Sequence, residues 1–334
     1  MARIVVLYNT DYDSATGATD ESAVEQSARA VAAALDNAEL VGVHGRDVFE
    51  VLARVRASKP DLVFNLCESM AGDPHNEPTF AGLLQLFDIP YTGADLATLA
   101  TCLYKVRTKD ILLGRGIPTP PHRYFAHVDE LADPALDKLD YPWFVKLAEQ
   151  DASIGITEAN RVTSAAALRA RIRELMTEHG EPVLAERYVD GREINVTLLG
   201  HDNNVQMLPL HEIDFAAMPA DRPRIVSYAA KWDEAHVDYV GTKPVPLRDA
   251  SPAMVAAIER VARAAWEALG LRDYGRVDLR VDAAGTPWVI DVNPNCDISP
   301  DAGASRAAAM AGIPYPAFVG RIAELALRRI RARA

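Results

Sequence analysis

Cysteine is scarce: Cys67, Cys102 and Cys296 are the only three, an odd number with no C-x-x-C spacing among them. That argues against a disulfide framework and for a reducing compartment. Positive charge is also in deficit. Lys and Arg number 35 against 47 Asp and Glu, a formal net charge of -12, and no basic stripe carries interleaved aromatics. No nucleic-acid partner is expected. Apolar runs stay short of the roughly 18 residues a membrane helix needs, and a strand-like segment over residues 4–8 begins before any signal-peptide pattern could form. These absences predict a cytoplasmic protein with no membrane partner. The first strand lacks a G-x-G-x-x-G sequel, its loop offering only Gly17, and no G-x-x-x-x-G-K-[ST] occurs. Dinucleotide-fingerprint and P-loop readings both weaken. Internal repeats and low-complexity segments are missing as well.

At 334 residues the chain can build two or three domains with substantial cores. Its first ninety-odd residues alternate apolar strands with amphipathic stretches such as Val24, Ala28, Val31 and Leu35, which predicts a parallel α/β unit. Ligands of such sheets gather beyond the strand C-terminal ends, here the polar loops 9–19 and 67–77. A smaller α+β unit is predicted next, with strand 143–146 and a helix from Ser164 ending at His179-Gly180. Further strands, a long excursion over 214–246 and a helix opened by Ser251-Pro252 and closed at Gly270 lead to a hairpin and two terminal helices.

That hairpin is the most informative segment. Residues 276–281 and 287–293 alternate apolar and polar around a turn at 282–285. A four-residue connection would set Arg276 opposite Asp291, with Asp278 diagonal to it at roughly 7–8 Å. Arg276, Asp278, Asp291 and Asn293 then share one face. Two carboxylates and an amide so placed suit a hard cation, Mg²⁺ in particular, although a solvated sheet face would also alternate. Lys146 ends a strongly apolar strand, where an ammonium must find a partner or lose its charge; a phosphate would serve. Lys105 and Lys231 taken singly read as solvated cations. Glu186 and Glu193 bracket Arg187, Tyr188 and Val189, which could offer ribose acceptors and an apolar hinge for a flat base.

Taken in order, the segments Ile89-Pro90-Tyr91-Thr92-Gly93, Lys105 with Lys109, Phe144-Val145-Lys146, Leu184 to Tyr188, Gly191-Arg192-Glu193, Ala230-Lys231-Trp232, Gly275 to Asp278 and Asp291-Val292-Asn293 match a known pattern. The chain resembles the D-alanine D-alanine ligase family of the ATP-grasp superfamily over nearly its whole length. The resemblance implies a three-domain α/β (α+β) ATP-grasp fold: an N-terminal parallel α/β domain at 1–99, a small central α+β domain at 100–187, and a C-terminal α+β domain with an antiparallel sheet at 188–334. It further implies ATP as cofactor and two Mg²⁺ ions, with Mn²⁺ as a substitute. Lys105 and Lys146 would contact the phosphates, Glu186 and the hinge Arg187, Tyr188 and Val189 the adenine, Glu193 the ribose, and Lys231 the γ-phosphate. Asp278, Asp291 and Asn293 would hold the metals. Arg276 would stabilise the developing oxyanions. By the same likeness a small-molecule carboxylate is phosphorylated and then attacked by an amine, and the ligase is a homodimer. A nucleotide-binding protein without ligase activity and an ATP-grasp kinase are the alternatives.

Departures bear on the substrate. The family's first loop offers a glutamate, and its central and mobile loops a serine and a tyrosine, which join in a triad. Here those places fall around Thr19 to Glu21, on Ala152 with Ser153, and on Trp232, so the triad is expected to be missing. Asp291 stands where glutamate is usual. The loop 149–155 is poor in glycine, which predicts a stiff cover over the phosphates. Elements that bind the second alanine's carboxylate fall on Asn295-Cys296-Asp297 and Asp301-Ala302-Gly303, where acidic groups would repel it. The nucleophile is therefore expected to be an amine other than D-alanine, lacking a nearby carboxylate or carrying extra positive charge. Glu68, His75 and Glu77 are candidate contacts for the first substrate, or ordinary loop charges. Cys296 reads as a small buried thiol.

Overall fold

The computed structural model describes residues 2–10, 21–36, 38–201 and 204–333. Strand and helix alternate from the start: β1 (Ile4–Asn9), α1 (Glu21–Ala34), β2 (Glu39–Val43), α2 (Val48–Ala57), β3 (Leu62–Leu66) and α3 (Glu77–Leu86). The strands run parallel in the order β2-β1-β3. Successive β1 side chains serve opposite faces, Val6 packing with α1 and Val5 and Leu7 with α2 and α3, as a sheet covered on both sides requires.

Two short helices, α4 (Leu96–Leu103) and α5 (Lys105–Gly114), lead to a four-stranded sheet of β4 (His122–Phe125), β5 (Trp143–Leu147), β6 (Arg161–Val162) and, after α6 (Ala165–His179), β7 (Val183–Arg187). Its order is β4-β7-β5-β6. Leu168, Ile172 and Leu175 recur at helical spacing and press α6 onto Val145 and Ala185. Ser164 caps the helix start and Gly180, at φ 69°, its end.

The third sheet holds β8 (Arg192–His201), β9 (Asn204–Met207), β10 (His211–Asp214), β11 (Lys243–Pro246), β12 (Asp273–Val281) and β13 (Pro287–Asn293). Strands run in the order β11-β10-β8-β12-β13, with β9 also on β8. Between β10 and β11 lie α7 (Tyr228–Trp232) and α8 (Val237–Gly241); α9 (Pro252–Leu269) precedes β12. Ile258, Val261, Ala262, Ala265, Trp266 and Leu269 bury α9 against Ile194, Val196, Val277, Leu279 and Val292. One face of this sheet is thereby filled with hydrocarbon. By the period-two rule, the polar residues between those apolar ones look the other way.

After α10 (Gly303–Met310), α11 (Tyr315–Arg333) returns to the N-terminal sheet, packing Phe318, Val319 and Ile322 with Val6 and Phe64. Arg329 on α11 forks onto the fully buried Asp273 at 3.0 and 2.7 Å, and Asp273 accepts the Gly93 amide at 2.9 Å. This buried pair fixes the N-terminal unit on the rim of the large sheet.

Candidate active site

The open face of the large sheet gathers most of the chemistry. Glu193, Asn195 and Thr197 on β8 stand opposite Arg280, Asp278 and Arg276 on β12. Across the hairpin, Arg276 faces Asn293 and Asp278 faces Asp291. The sequence-based register was different, and two features explain the correction. The connection runs over 282–286, closed by Asp282 N–H to Thr286 O at 3.1 Å. In addition, a bulge between Asp278 and Leu279 skips Ile290, moving Asp291 one place along the ladder. The carboxylates therefore stand directly opposite each other.

Arg276 grips Asp278 through two parallel bonds, Nε to Oδ1 at 2.7 Å and Nη2 to Oδ2 at 2.9 Å. Asn195 and Asn293 add amide donors at 2.7 and 3.2 Å. Asp291 has no hydrogen bond among the described residues; burial pushes its carboxyl up, but Lys105, Lys146, Lys109 and Arg276 together hold it below the ordinary range. Among those residues no group of three His, Cys, Asp or Glu could hold a metal. A cation here would rest on two carboxylates and the Asn293 amide oxygen, with water or phosphate completing the shell, a donor set that fits Mg²⁺.

Facing the hairpin, Glu186 on β7 sits between Lys109, at 2.5 Å, and Lys146, at 3.0 Å. Lys146 also donates to the carbonyl of Ile290 at 3.0 Å. A protein carboxylate and the bulged carbonyl thus satisfy the lysine, where a phosphate was expected. Burial opposes ionisation of Glu186, yet the two ammoniums hold its carboxyl below the ordinary range. Lys105, expected to be solvated, is buried and bonds Gln150 O and Asp151 Oδ1 at 2.6 and 2.7 Å. Glu193 is held by Arg280 at 2.8 Å, and the same guanidinium reaches Val189 O and stacks on Tyr188. Arg187 stacks on Trp288.

Two loops meet over this floor. Trp232 donates its indole N–H to Ala152 O at 3.3 Å, Ser153 its hydroxyl to Val226 O at 3.1 Å, and Tyr228 its amide to Ile156 O at 2.9 Å. Ala152 and Ser153 both adopt left-handed backbone, φ 55° and 63°, which side chains other than glycine's adopt at a cost. Lys231 reaches in from α7, exposed to solvent and without a hydrogen bond among the described residues. Crowding in the cleft and then the charge of Arg276 lower its pKa, against Asp278, Asp291 and Asp151.

On the remaining side Asp297 repels Glu68, and Glu68 repels Glu77. Burial, then Asp297 and Asp151, push Glu68 up to about 7; burial and Glu68 push Glu77 up to about 8, against a hydrogen bond from Asn295. Solvent still reaches both, Glu68 the more. Asp297 accepts from Ser299 N and Oγ. Glu77, Asp151, Asn293 and Asn295 line a cavity of ≈ 60 Å³. Cys296 is buried, and that burial pushes its thiol up to about 12, so it is inert as a nucleophile.

Residues 111–324 match the family model described as D-ala D-ala ligase C-terminus. The chain belongs to this family. A D-alanine--D-alanine ligase of Moorella thermoacetica is 30% identical over 287 residues, 83% of this chain and 86% of that one. A Sinorhizobium fredii protein described only as uncharacterized is also 30% identical, over 80% of this chain and 75% of its own length. The crystal structure of D-alanine--D-Alanine Ligase from Bacillus anthracis complexed with ATP superposes with a TM-score of 0.76 at 22% identity, covering 100% of both chains. The three-domain ATP-grasp fold and the class, a C–N bond-forming ligase, follow from the family.

In this D-Ala-D-Ala ligase relative the expected phosphate, adenine, ribose and metal residues converge on one cleft. Ser153 and Trp232 meet at the loop junction but bond to backbone carbonyls. Glu21 opens α1, yet its side chain, like Thr19, lies outside the described residues. Sequence reasoning gave no role to Lys109, Asn195, Thr197, Arg280, His211 and Arg306. The alternation Glu193-x-Asn195-x-Thr197 and Arg276-x-Asp278-x-Arg280 would have supplied three of them, Asn195, Thr197 and Arg280. His211 and Arg306 carry no such signal. No helix among the described residues is long and apolar enough to cross a membrane.

Proposed function

We propose that the protein joins a small-molecule carboxylate to an amine at the expense of ATP, through an acyl phosphate. The carboxylate oxygen attacks the γ-phosphorus and ADP leaves; the amine then attacks the acyl carbon, phosphate departs, and the nitrogen loses a proton. Both anions must be brought together against their repulsion, which is the task of fixed cations. What carries this reading is the single cleft into which Lys105, Lys146, Lys231 and Arg276 converge with the facing Asp278 and Asp291. Asp278, Asp291 and Asn293 are the residues to hold Mg²⁺, which supplies neutralising charge to the phosphate oxygens. Lys105, Lys146 and Lys231 meet the phosphates, Glu186 with the hinge the adenine, and Glu193 the ribose. The assembly is read as a homodimer, on the family likeness alone.

The product is not D-alanyl-D-alanine. Support comes from Trp232, an indole where the family offers a hydroxyl, and from the acidic side chains of Glu68, Glu77 and Asp297. ADP release over paired carboxylates and amines, D-alanine included, tests both statements. Hydroxylamine should trap a hydroxamate of the activated carboxylate, and an amine other than D-alanine should stimulate turnover most. ATP consumption without hydroxamate would favour the kinase alternative, and D-alanine as the best amine would remove the substrate claim.

A further inference from the structure

A single guanidinium ties the hinge, β8 and the segment that carries Lys231 to one another. Arg280 on β12 stands directly opposite Glu193 on β8 and is 4% exposed. Its Nε and Nη2 both donate to Glu193 Oε2, at 3.2 and 2.8 Å. Nη1 donates to the Val189 carbonyl in the hinge at 3.0 Å, and Nη2 donates a second time, to the carbonyl of Arg224. Its Cζ lies over the rings of Tyr188 and Phe215, 5.0 and 5.8 Å from their centroids. Gly191 lets the hinge come this close, since a Cβ there would collide with the Val281 carbonyl of β12. At Arg224 the excursion over 214–246 is fastened down, for its carbonyl also accepts the Tyr188 hydroxyl at 3.0 Å. Beyond it Ile225 and Ser227 are buried. Ser227 caps α7, its hydroxyl accepting from Ala230 N at 3.1 Å and donating to Asp238 at 2.6 Å. Lys231 rides on that helix, so its place in the cleft is set from Arg224.

We propose that Arg280 is a positioning residue that couples ribose recognition at Glu193 to the seating of the segment carrying Lys231. This rests on the nucleotide part of the reading above, in which Glu193 meets the ribose and Lys231 the γ-phosphate. The coupling follows from how the N–H groups are shared. Both bonds from Arg280 fall on Oε2 of Glu193, and no donor reaches Oε1 among the described residues. A carboxylate oxygen without donors competes for the fork, because a side-on grip through both oxygens is the stronger arrangement. That grip would draw N–H groups away from Val189 and Arg224. Ribose hydroxyls that donate to Oε1 end the competition and keep Nη2 on Arg224. A nucleotide with both hydroxyls therefore seats the Lys231 ammonium, and one without them binds but leaves it loose.

The test compares ATP with 2′,3′-dideoxy-ATP, each with Mg²⁺, on the full chain. Calorimetry gives the two affinities, and hydrogen exchange reports on the amides of 224–232. Wild type should bind ATP about tenfold or more tightly, the worth of hydrogen bonds to a charged acceptor. At saturation ATP should slow exchange over 224–232 about fivefold more than the dideoxy analogue does. Arg280→Met should erase the exchange difference and most of the affinity ratio. A merely structural loss of packing would instead speed exchange equally with either nucleotide. Arg280→Lys keeps Glu193 paired but has no planar fork to reach Arg224 as well. It should keep the affinity ratio and lose the exchange difference, and it carries the test if Arg280→Met fails to fold. Equal exchange with the two nucleotides in wild type, or a difference that survives in either variant, would overturn the coupling. The exchange difference without ADP release from any carboxylate and amine would uphold the coupling and overturn the ligase reading. ATP that does not bind would overturn both.

Discussion

The half of the cleft proposed to face the nucleotide and the half proposed to face the substrates handle charge in opposite ways. In the first, Glu186 lies between Lys109 and Lys146, Glu193 is forked by Arg280, and Lys105 meets Asp151. Each buried charge is answered by protein before any ligand arrives. In the second, Glu68, Glu77 and Asp297 share one sign, and His211 lacks a partner on Nδ1. A paired half is pre-organised, holding its shape without a ligand. An unpaired half is costly to fold but leaves interaction energy for whatever binds there, the usual trade between stability and function.

The largest effect should come from breaking the paired half. Glu186→Gln would leave two buried ammoniums without the carboxylate that bridges them, at a cost of about 3–5 kcal/mol, read as a lower urea midpoint. An unchanged midpoint would show that the pairing contributes nothing to stability. Next comes Asp278→Asn, which removes a proposed cation ligand and the anchor of Arg276. Turnover should fall by about 10²–10³, as for loss of one electrostatic group in a preorganised site. ADP release measures it, and near-wild-type rates would refute the metal assignment.

How much of this was legible depends on whether local periodicity or sheet order decides it. The hairpin's charged face could be read because alternation fixes sides, and both helix caps at Ser164 and Ser251 could be read because capping is local. The bulge at Ile290 could not, since a ladder slip leaves no mark in composition. Lys146 was visibly an ammonium on an apolar strand. Its partner Glu186 became a neighbour only because β7 inserts between β4 and β5. His211 and Arg306 are 95 residues apart and meet only because α10 folds back onto β10.

The unpaired half can be probed by pH. An unfolded histidine titrates near 6.5, whereas burial and then the charges of Arg306 and Arg276 push His211 down to about 4, against Asp278. Between those values the unfolded chain binds the extra proton, so stability is full above about pH 6.5 and falls as the pH drops toward 4. A shift of that size corresponds to about 3 kcal/mol at most. His211→Gln should flatten the stability curve across this window while leaving the remaining acid dependence intact. An identical slope in the variant would mean that the imidazole is already charged or solvated.

Arg276→Lys separates the two halves at their seam and should give the smallest change. The side-on grip of Arg276 on Asp278 needs two parallel N–H groups, which a lysine ammonium cannot present in a plane. Charge is kept, so the ground state of bound nucleotide is disturbed little. The oxyanions that develop during acyl transfer lose a directed donor, and kcat should drop about tenfold while the KM for ATP moves less than threefold. Equal losses in both would assign Arg276 to nucleotide binding, on the paired side of the cleft. Unchanged kcat would remove it from the chemistry.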